Sequence, residues 1–428
     1  MTTSLATGLS LALALAIAAF VPLYAARARG RPFAIFSAVE LAIALPGALI
    51  WHARVRDHLP EAWAGPFSAA FLYGLAALGV HLVLLVRARL RSRAVRWGVS
   101  VPGMAFLALG ALAGPWLLLL LPVRGGLWLA GQETWLAGAV WLDAVPALVV
   151  AASLVTSLRL PREIVRIHLG GAEPAELTRL PVERHRRGSA PPPAPRRPLR
   201  IAQITDTHLG PWQPVHRLAQ RVEELLAHEP DLVLLTGDFL TMEGNGTPGA
   251  LARALAPLGP WRGRTFAVYG NHDHEAPHEV RRALEACSVR LLVDEEAVVE
   301  TAVGPVQLLG ADWTRRERGE RLGALLAKHP RRDGQLRLLM LHDPLGFRDV
   351  PKGEVDLTLS GHTHGGQVGL VSFGLDWTVL SRSRWPDHGL FGHGPNRLYV
   401  HRGTGFYGFP LRIGVPGELS LLELVPRG

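Results

Sequence analysis

Leu199-Arg200-Ile201-Ala202-Gln203-Ile204-Thr205-Asp206-Thr207-His208 is a strand-like apolar run that ends in two residues able to bind a metal. The arrangement recurs downstream. Leu232–Leu235 runs into Gly237-Asp238, Phe266–Tyr269 into Gly270-Asn271-His272-Asp273, Leu336–Leu341 into His342, and Val355–Leu359 into Gly361-His362-Thr363-His364. Alone, an Asp-x-His or a Gly-Asp is an ordinary polar turn. Five such motifs, each closing an apolar run, predict an open α/β sheet whose strands feed loops at their carboxyl ends, where such folds place their sites. The carboxylates, amide and imidazoles suffice for two adjacent divalent cations. Mixed oxygen and imidazole ligation suits Mn, Fe or Zn, and the absence of thiolates argues against a structural zinc or an iron–sulfur site.

A cation pair addresses what makes phosphate esters inert. Their anionic oxygens repel nucleophiles, and two metals roughly 3.5–4 Å apart neutralise them while lowering the pKa of a bound water toward about 7. The five motifs, in this order, resemble the calcineurin-like metallophosphoesterases. The resemblance covers about residues 197–426 and implies an αββα sandwich. The tail, with Gly389-Leu390-Phe391, Leu398-Tyr399-Val400-His401-Arg402-Gly403-Thr404-Gly405, Pro410-Leu411-Arg412-Ile413 and Glu418-Leu419, is similar to a bacterial subgroup of YkuE and YaeI type, many of them membrane-attached.

Carried over residue by residue, the resemblance implies a first metal held by Asp206, His208, Asp238 and His364. It implies a second held by Asp238, Asn271, His342 and His362, with Asp238 bridging. His272 becomes the general acid and Asp273 the group that orients or tunes it. A metal-bridging hydroxide would attack phosphorus. Arg402, Arg382 and His393 are candidate substrate contacts, and the loop 368–396 is long enough to serve as a lid. After Gly237-Asp238 the chain reads Phe239-Leu240-Thr241 rather than the Asp-Arg of the protein phosphatases, which argues against a phosphoprotein substrate.

Composition places the rest. Of 428 residues 48% are hydrophobic, and the excess lies at the front. Residues 1–200 hold 21 Lys and Arg against 9 Asp and Glu, whereas residues 201–428 hold 24 against 27, so the net +9 belongs to the first part. No nucleic-acid partner is expected from a catalytic half that is slightly acidic. Apolar runs over about residues 4–24, 33–52, 67–86, 99–121 and 135–157 predict about five membrane spans. Arginines 27, 29 and 31, then 87, 89, 91, 93 and 96, then 159, 162 and 166 fall on one side of those spans. The bias predicts an outside N-terminus and a cytoplasmic catalytic domain.

The expected organisation is an all-α transmembrane bundle over 1–157, a basic Pro-rich connector over 158–198 and an α/β metallophosphoesterase domain over 199–428. The expected function is a membrane-anchored, two-metal phosphodiesterase acting on a phosphate ester, with a lipid-linked substrate as the hypothesis the membrane half suggests. Glu40, His81 and Asp143 inside apolar segments keep a second reading open, a sensor or transporter with an accessory phosphoesterase-like domain. A nuclease is a third.

Overall fold

The computed structural model describes residues 3–186, 197–406 and 411–426. They form two compact units, one built on residues 3–155 and the other on residues 156–406 and 412–426.

In the first unit, five helices are long and apolar enough to cross a bilayer: Leu5–Ala28, Arg31–Asp57, Glu61–Val86, Arg93–Leu129 and Glu133–Leu158. Even the shortest, at 24 residues, exceeds the roughly 30 Å of a hydrocarbon core. The fifth is interrupted. An α-helical Glu133–Gly138 gives way to a 3₁₀ segment over Ala139–Ala144, and the α-helix resumes at Val145. Pro146 at the second position of the resumed helix explains the break, since proline fits a first turn but not an interior. Asp143 lies in the tight segment, fully buried, and its carboxylate takes Arg124 at 2.6 Å and Arg54 at 3.1 Å. Trp51 Nε1 donates to its carbonyl at 2.6 Å. The ionisable group inside the apolar segment is therefore neutralised within the bundle, as burial of a charge requires.

The second unit holds fourteen strands in two sheets. They are β1 (Arg162–His168), β2 (Thr178–Leu180), β3 (Glu183–Arg186), β4 (Leu199–Ile204), β5 (Leu232–Leu235), β6 (Thr265–Ala267) and β7 (Arg290–Leu291), then β8 (Glu295–Thr301), β9 (Gly304–Ala311), β10 (Leu336–Leu341), β11 (Leu357–Ser360), β12 (Gly389–His393), β13 (Asn396–Val400) and β14 (Leu419–Val425). One sheet runs β3-β1-β14-β4-β5-β6-β7 and the other β2-β12-β13-β11-β10-β9-β8.

Alternate residues explain the packing. Ile201, Leu232, Leu234 and Phe266 of the first sheet share one buried cluster with Leu308, Leu338, Met340 and Leu357 of the second. Residues of opposite parity, Leu309, Leu339 and Leu341, pack instead with Leu322, Leu325 and Leu326 of the helix Arg318–Lys328. A strand buried on both faces reads as a continuous apolar run, and these do. The result is the expected αββα sandwich.

Two expectations change. Residues 162–186, read as the front of a connector, contain three strands, and β1 pairs in parallel with β14 from Arg162↔Leu419 to His168↔Val425. Ile164, Val165 and Ile167 made this legible, but the flanking arginines masked it. The Pro-rich run 187–196 lies outside the described residues. The loop 368–396 is shorter than it reads, because Gly389–His393 forms β12, antiparallel to β13.

Candidate metal centre

The parallel strands β4, β5 and β6 of one sheet and β10, β11 and β13 of the other send their carboxyl ends to one place. Gln203 at the end of β4 ties the sheets together there, donating to Thr236 Oγ1 and to the Ser360 carbonyl, each at 3.1 Å.

The first residues after these strands turn sharply. Asp206 (φ 51°), His208 (φ 41°), Asp238 (φ 58°), His362 (φ 69°) and His364 (φ 52°) all lie in the left-handed region. They are five of the ten non-glycine residues so placed among those described. Side chains there cost of order 1–3 kcal/mol each and persist only where surrounding structure demands them. Two glycines make the crowding feasible. A Cβ on Gly237 (φ 92°) would stand 2.4 Å from the Gly270 nitrogen, and one on Gly361 would stand 2.1 Å from Asp206 Oδ2.

Two ligand groups result: Asp206, His208 and His364, and Asp238, His342 and His362, with the candidate atoms of each within 4.8 Å of one another. His208 Nε2 is 3.1 Å from His364 Nε2, which is 3.3 Å from Asp206 Oδ1. His342 Nε2 is 3.3 Å from both Asp238 Oδ2 and Asn271 Oδ1. Asp238 Oδ2 also stands 3.9 Å from His208 Nε2, so it lies between the groups.

The electrostatics ask for cations. Burial, with Asp238 adding to it, raises Asp206 to about 6. Burial also opposes charge on Asp238, but His342 overrides it and holds that carboxylate ionised, well below the usual range. Burial likewise opposes charge on His342, yet the carboxylates of Asp238 and Asp206 push it up to about 10. A positive charge thus belongs between these groups. Burial lowers His208 to about 3 and His362 to about 4, and drives His364 well below its ordinary value, so their nitrogens keep lone pairs for a metal. His342 Nδ1 donates to the Thr236 carbonyl at 2.7 Å, which leaves Nε2 as the atom that could face a metal. Chemically, the seven residues fit two divalent ions.

His272 lies beside the clusters with its side chain 23% exposed, and its Nδ1 is 2.8 Å from Glu275 Oε1. Burial works against its protonation, but the Glu275 hydrogen bond and the charges of Asp238 and Glu275 outweigh it and raise its pKa. Asp273 does something else than expected. Fully buried, it accepts the N–H groups of Asp238 and Gly270 on Oδ2, both at 2.7 Å, and that of Phe239 on Oδ1 at 2.8 Å. It pins two ligand loops together, while Glu275 is the carboxylate on the His272 ring.

The three candidate substrate contacts join neither cluster. Arg402 is 2% exposed and is held by Glu163 at 3.0 Å and Glu418 at 3.4 Å, which makes it a structural ion pair. Arg382 is exposed on the loop and His393 half-buried at the end of β12. Sequence reading gave no role to Arg412, which is 1% exposed and donates to the carbonyls of Arg402 at 2.8 Å and Gly405 at 2.6 Å, within 3.3 Å of His364 Nδ1. Its signal was only its place in the Pro410–Ile413 motif.

The family model described as calcineurin-like phosphoesterase matches residues 199–366. The chain is 30% identical over 241 residues to the uncharacterised metallophosphoesterase YkoQ of Bacillus subtilis, covering 54% of this chain and 84% of that relative. It is 29% identical over 235 residues to phosphodiesterase YaeI of Escherichia coli, covering 53% and 83%. A Bos taurus transmembrane protein with a metallophosphoesterase domain is 28% identical over 303 residues, 65% of this chain and 62% of that one. The fold and site thus define a phosphoester hydrolase, and the chain belongs to the calcineurin-like metallophosphoesterases.

Proposed function

We propose that this chain is a membrane-anchored phosphodiesterase that works with two divalent ions and acts on a lipid-linked phosphate ester at the cytoplasmic face. The observation that carries it is the meeting of the two buried ligand groups at Asp238. Two metals bound there would neutralise the phosphate and supply an ionised water near neutral pH.

The remaining work falls to the chain. Asp206, His208, Asp238, Asn271, His342, His362 and His364 would hold the ions, with Asp238 able to serve both groups. His272, whose protonation Glu275 favours, gives its proton to the departing oxygen. Asp273 keeps Asp238 and Gly270 in register. Preference for diesters is supported by the name of the YaeI relative. A phosphoprotein substrate is disfavoured because Phe239 and Leu240, both buried in the core, stand where the protein phosphatases carry Asp-Arg. The five membrane-length helices support anchoring. A cytoplasmic face is supported by the arginine bias.

The test is hydrolysis of bis(p-nitrophenyl) phosphate and p-nitrophenyl phosphate by the full chain in detergent, with Mn²⁺, Zn²⁺, Fe²⁺ or a chelator. Metal-dependent turnover, faster on the diester, is expected. Turnover that persists in chelator would overturn the metal role, and preference for the monoester would overturn the diester assignment.

A further inference from the structure

Among the described residues from Thr156 onward, large apolar side chains that face solvent are few and gathered. They are Val298 and five on one loop: Leu370 (39%), Phe373 (76%), Leu375 (54%), Trp377 (47%) and Val379 (52%). The loop is not slack. Leu370 N–H donates to the Trp377 carbonyl at 2.8 Å, Val379 N–H to Val368 at 3.0 Å, and Gly369 N–H to Ile413 at 2.8 Å. An ordered, contiguous apolar exposure marks an interaction surface. Trp settles at a membrane–water boundary, and Phe and Leu fill the apolar faces of segments that lie there.

The same loop walls a cavity of about 1100 Å³ through Val371, Ser372, Gly374 and Asp376. Another wall is Thr156, Leu158, Arg159 and Leu160, and Leu158 is the last residue of the fifth membrane-length helix. Six arginines line the space: Arg159, Arg162, Arg179, Arg184, Arg221 and Arg402. Their carboxylate partners number four. Arg162 and Arg221 share Glu224, Arg179 takes Asp387, and Arg184 and Arg402 divide Glu163 and Glu418. Asp376, 75% exposed, is the one further acid in the wall. Arg159 is exposed and has no side-chain partner among the described residues. The cavity therefore combines surplus positive charge with Leu158, Leu160, Leu180 and Leu390. Its wall residues His388 and Arg402 pack against Gly365, the neighbour of His364.

We propose that this cavity holds the phosphate-bearing headgroup of a membrane lipid, with the loop 370–379 seated in the interfacial layer beside it. This rests on the reading of the chain as a membrane-anchored phosphoesterase and assigns its lipid-recognition site. Surplus arginine answers the phosphate. The apolar loop and the leucines answer the part of the ligand that a free phosphate lacks. Leu158, at the end of the fifth membrane-length helix, is itself part of the cavity wall.

Two readouts on the full chain test it, both taken in chelator so that neither depends on turnover. In the first, a nitroxide is placed at Phe373→Cys in a Cys287→Ser background, in phosphatidylcholine nanodiscs containing phosphatidic acid. The label is expected to be shielded from an aqueous nickel chelate and relaxed by oxygen, relative to the same label at Arg282→Cys. Equal nickel access at both positions would overturn the seating. In the second, binding of dihexanoyl phosphatidic acid and of inorganic phosphate is titrated. Arg159→Glu is expected to weaken the lipid at least tenfold, and Arg159→Lys to keep it within threefold. Unchanged binding in Arg159→Glu, or inorganic phosphate binding as tightly as the lipid, would overturn the headgroup assignment. Loss of metal-dependent turnover alone would sink the hydrolase reading and leave both readouts standing.

Discussion

Asp273 has two oxygens for three backbone N–H groups, and the loops of Asp238 and Gly270 meet on them. Asp273→Asn replaces one of those oxygens with an amide that faces donors. It should destabilise the unit by about 1–3 kcal/mol, the cost of leaving buried donors unpaired, and loosen metal binding with it. Thermal unfolding with and without Mn²⁺ measures both. Glu275 acts differently, because it raises the His272 pKa from outside. If His272 is the general acid proposed above, its acid form does the work and activity declines as pH rises through its raised pKa. Glu275→Gln removes the charge, lowers that pKa, and should move the alkaline limb of kcat/KM to lower pH. An unmoved limb would remove Glu275 from the account. The motif around Asn271 made His272 legible, but Glu275 sits three residues on in a 3₁₀ turn that apolar patterning does not signal.

At the scale of elements, the strand-then-ligand pattern was readable because each strand is buried on both faces and so appears as an unbroken apolar run. β1 was harder to read. Arg162, Glu163 and Arg166 break its pattern, and each is paired with a distant partner: Glu224, the Arg184 and Arg402 pair, and Glu423 respectively. Long-range ion pairs leave no local trace. The consequence is practical, since β1 lies between β14 and β3 and contributes Val165 and Ile167 to the core. A chain starting at residue 195 loses them, at roughly 1.5–3 kcal/mol for each side chain, and bares the edge of β14. It should unfold without a cooperative transition, whereas one starting at residue 156 should melt cooperatively. Equal melting of the two would show that β1 is dispensable. The 368–396 region was misjudged for a similar reason. The glycines at 389 and 392 flank Leu390 and Phe391 and hide a strand that only its pairing with β13 reveals.

Over the whole molecule, charge and hydropathy both divide the chain. Positions 1–200 are strongly positive and positions 201–428 slightly negative, but the second unit begins at residue 156 and takes ten of those first arginines with it. Part of that positive charge is consumed internally, by Asp143 in the bundle and by Glu163, Glu224 and Glu418 in the second unit. Such a distribution suits a hydrolase held at an anionic surface. The account rests above all on the seven residues from Asp206 to His364 forming one centre for two ions, with Asp238 shared. Elemental analysis of the purified full chain, after loading with Mn²⁺, Zn²⁺ or Fe²⁺ and removal of excess, tests that directly. Two ions per chain are predicted for the natural sequence and fewer than one for Asp238→Ala. A folded chain that retains no ion, or an Asp238→Ala variant that still retains two, would contradict the account.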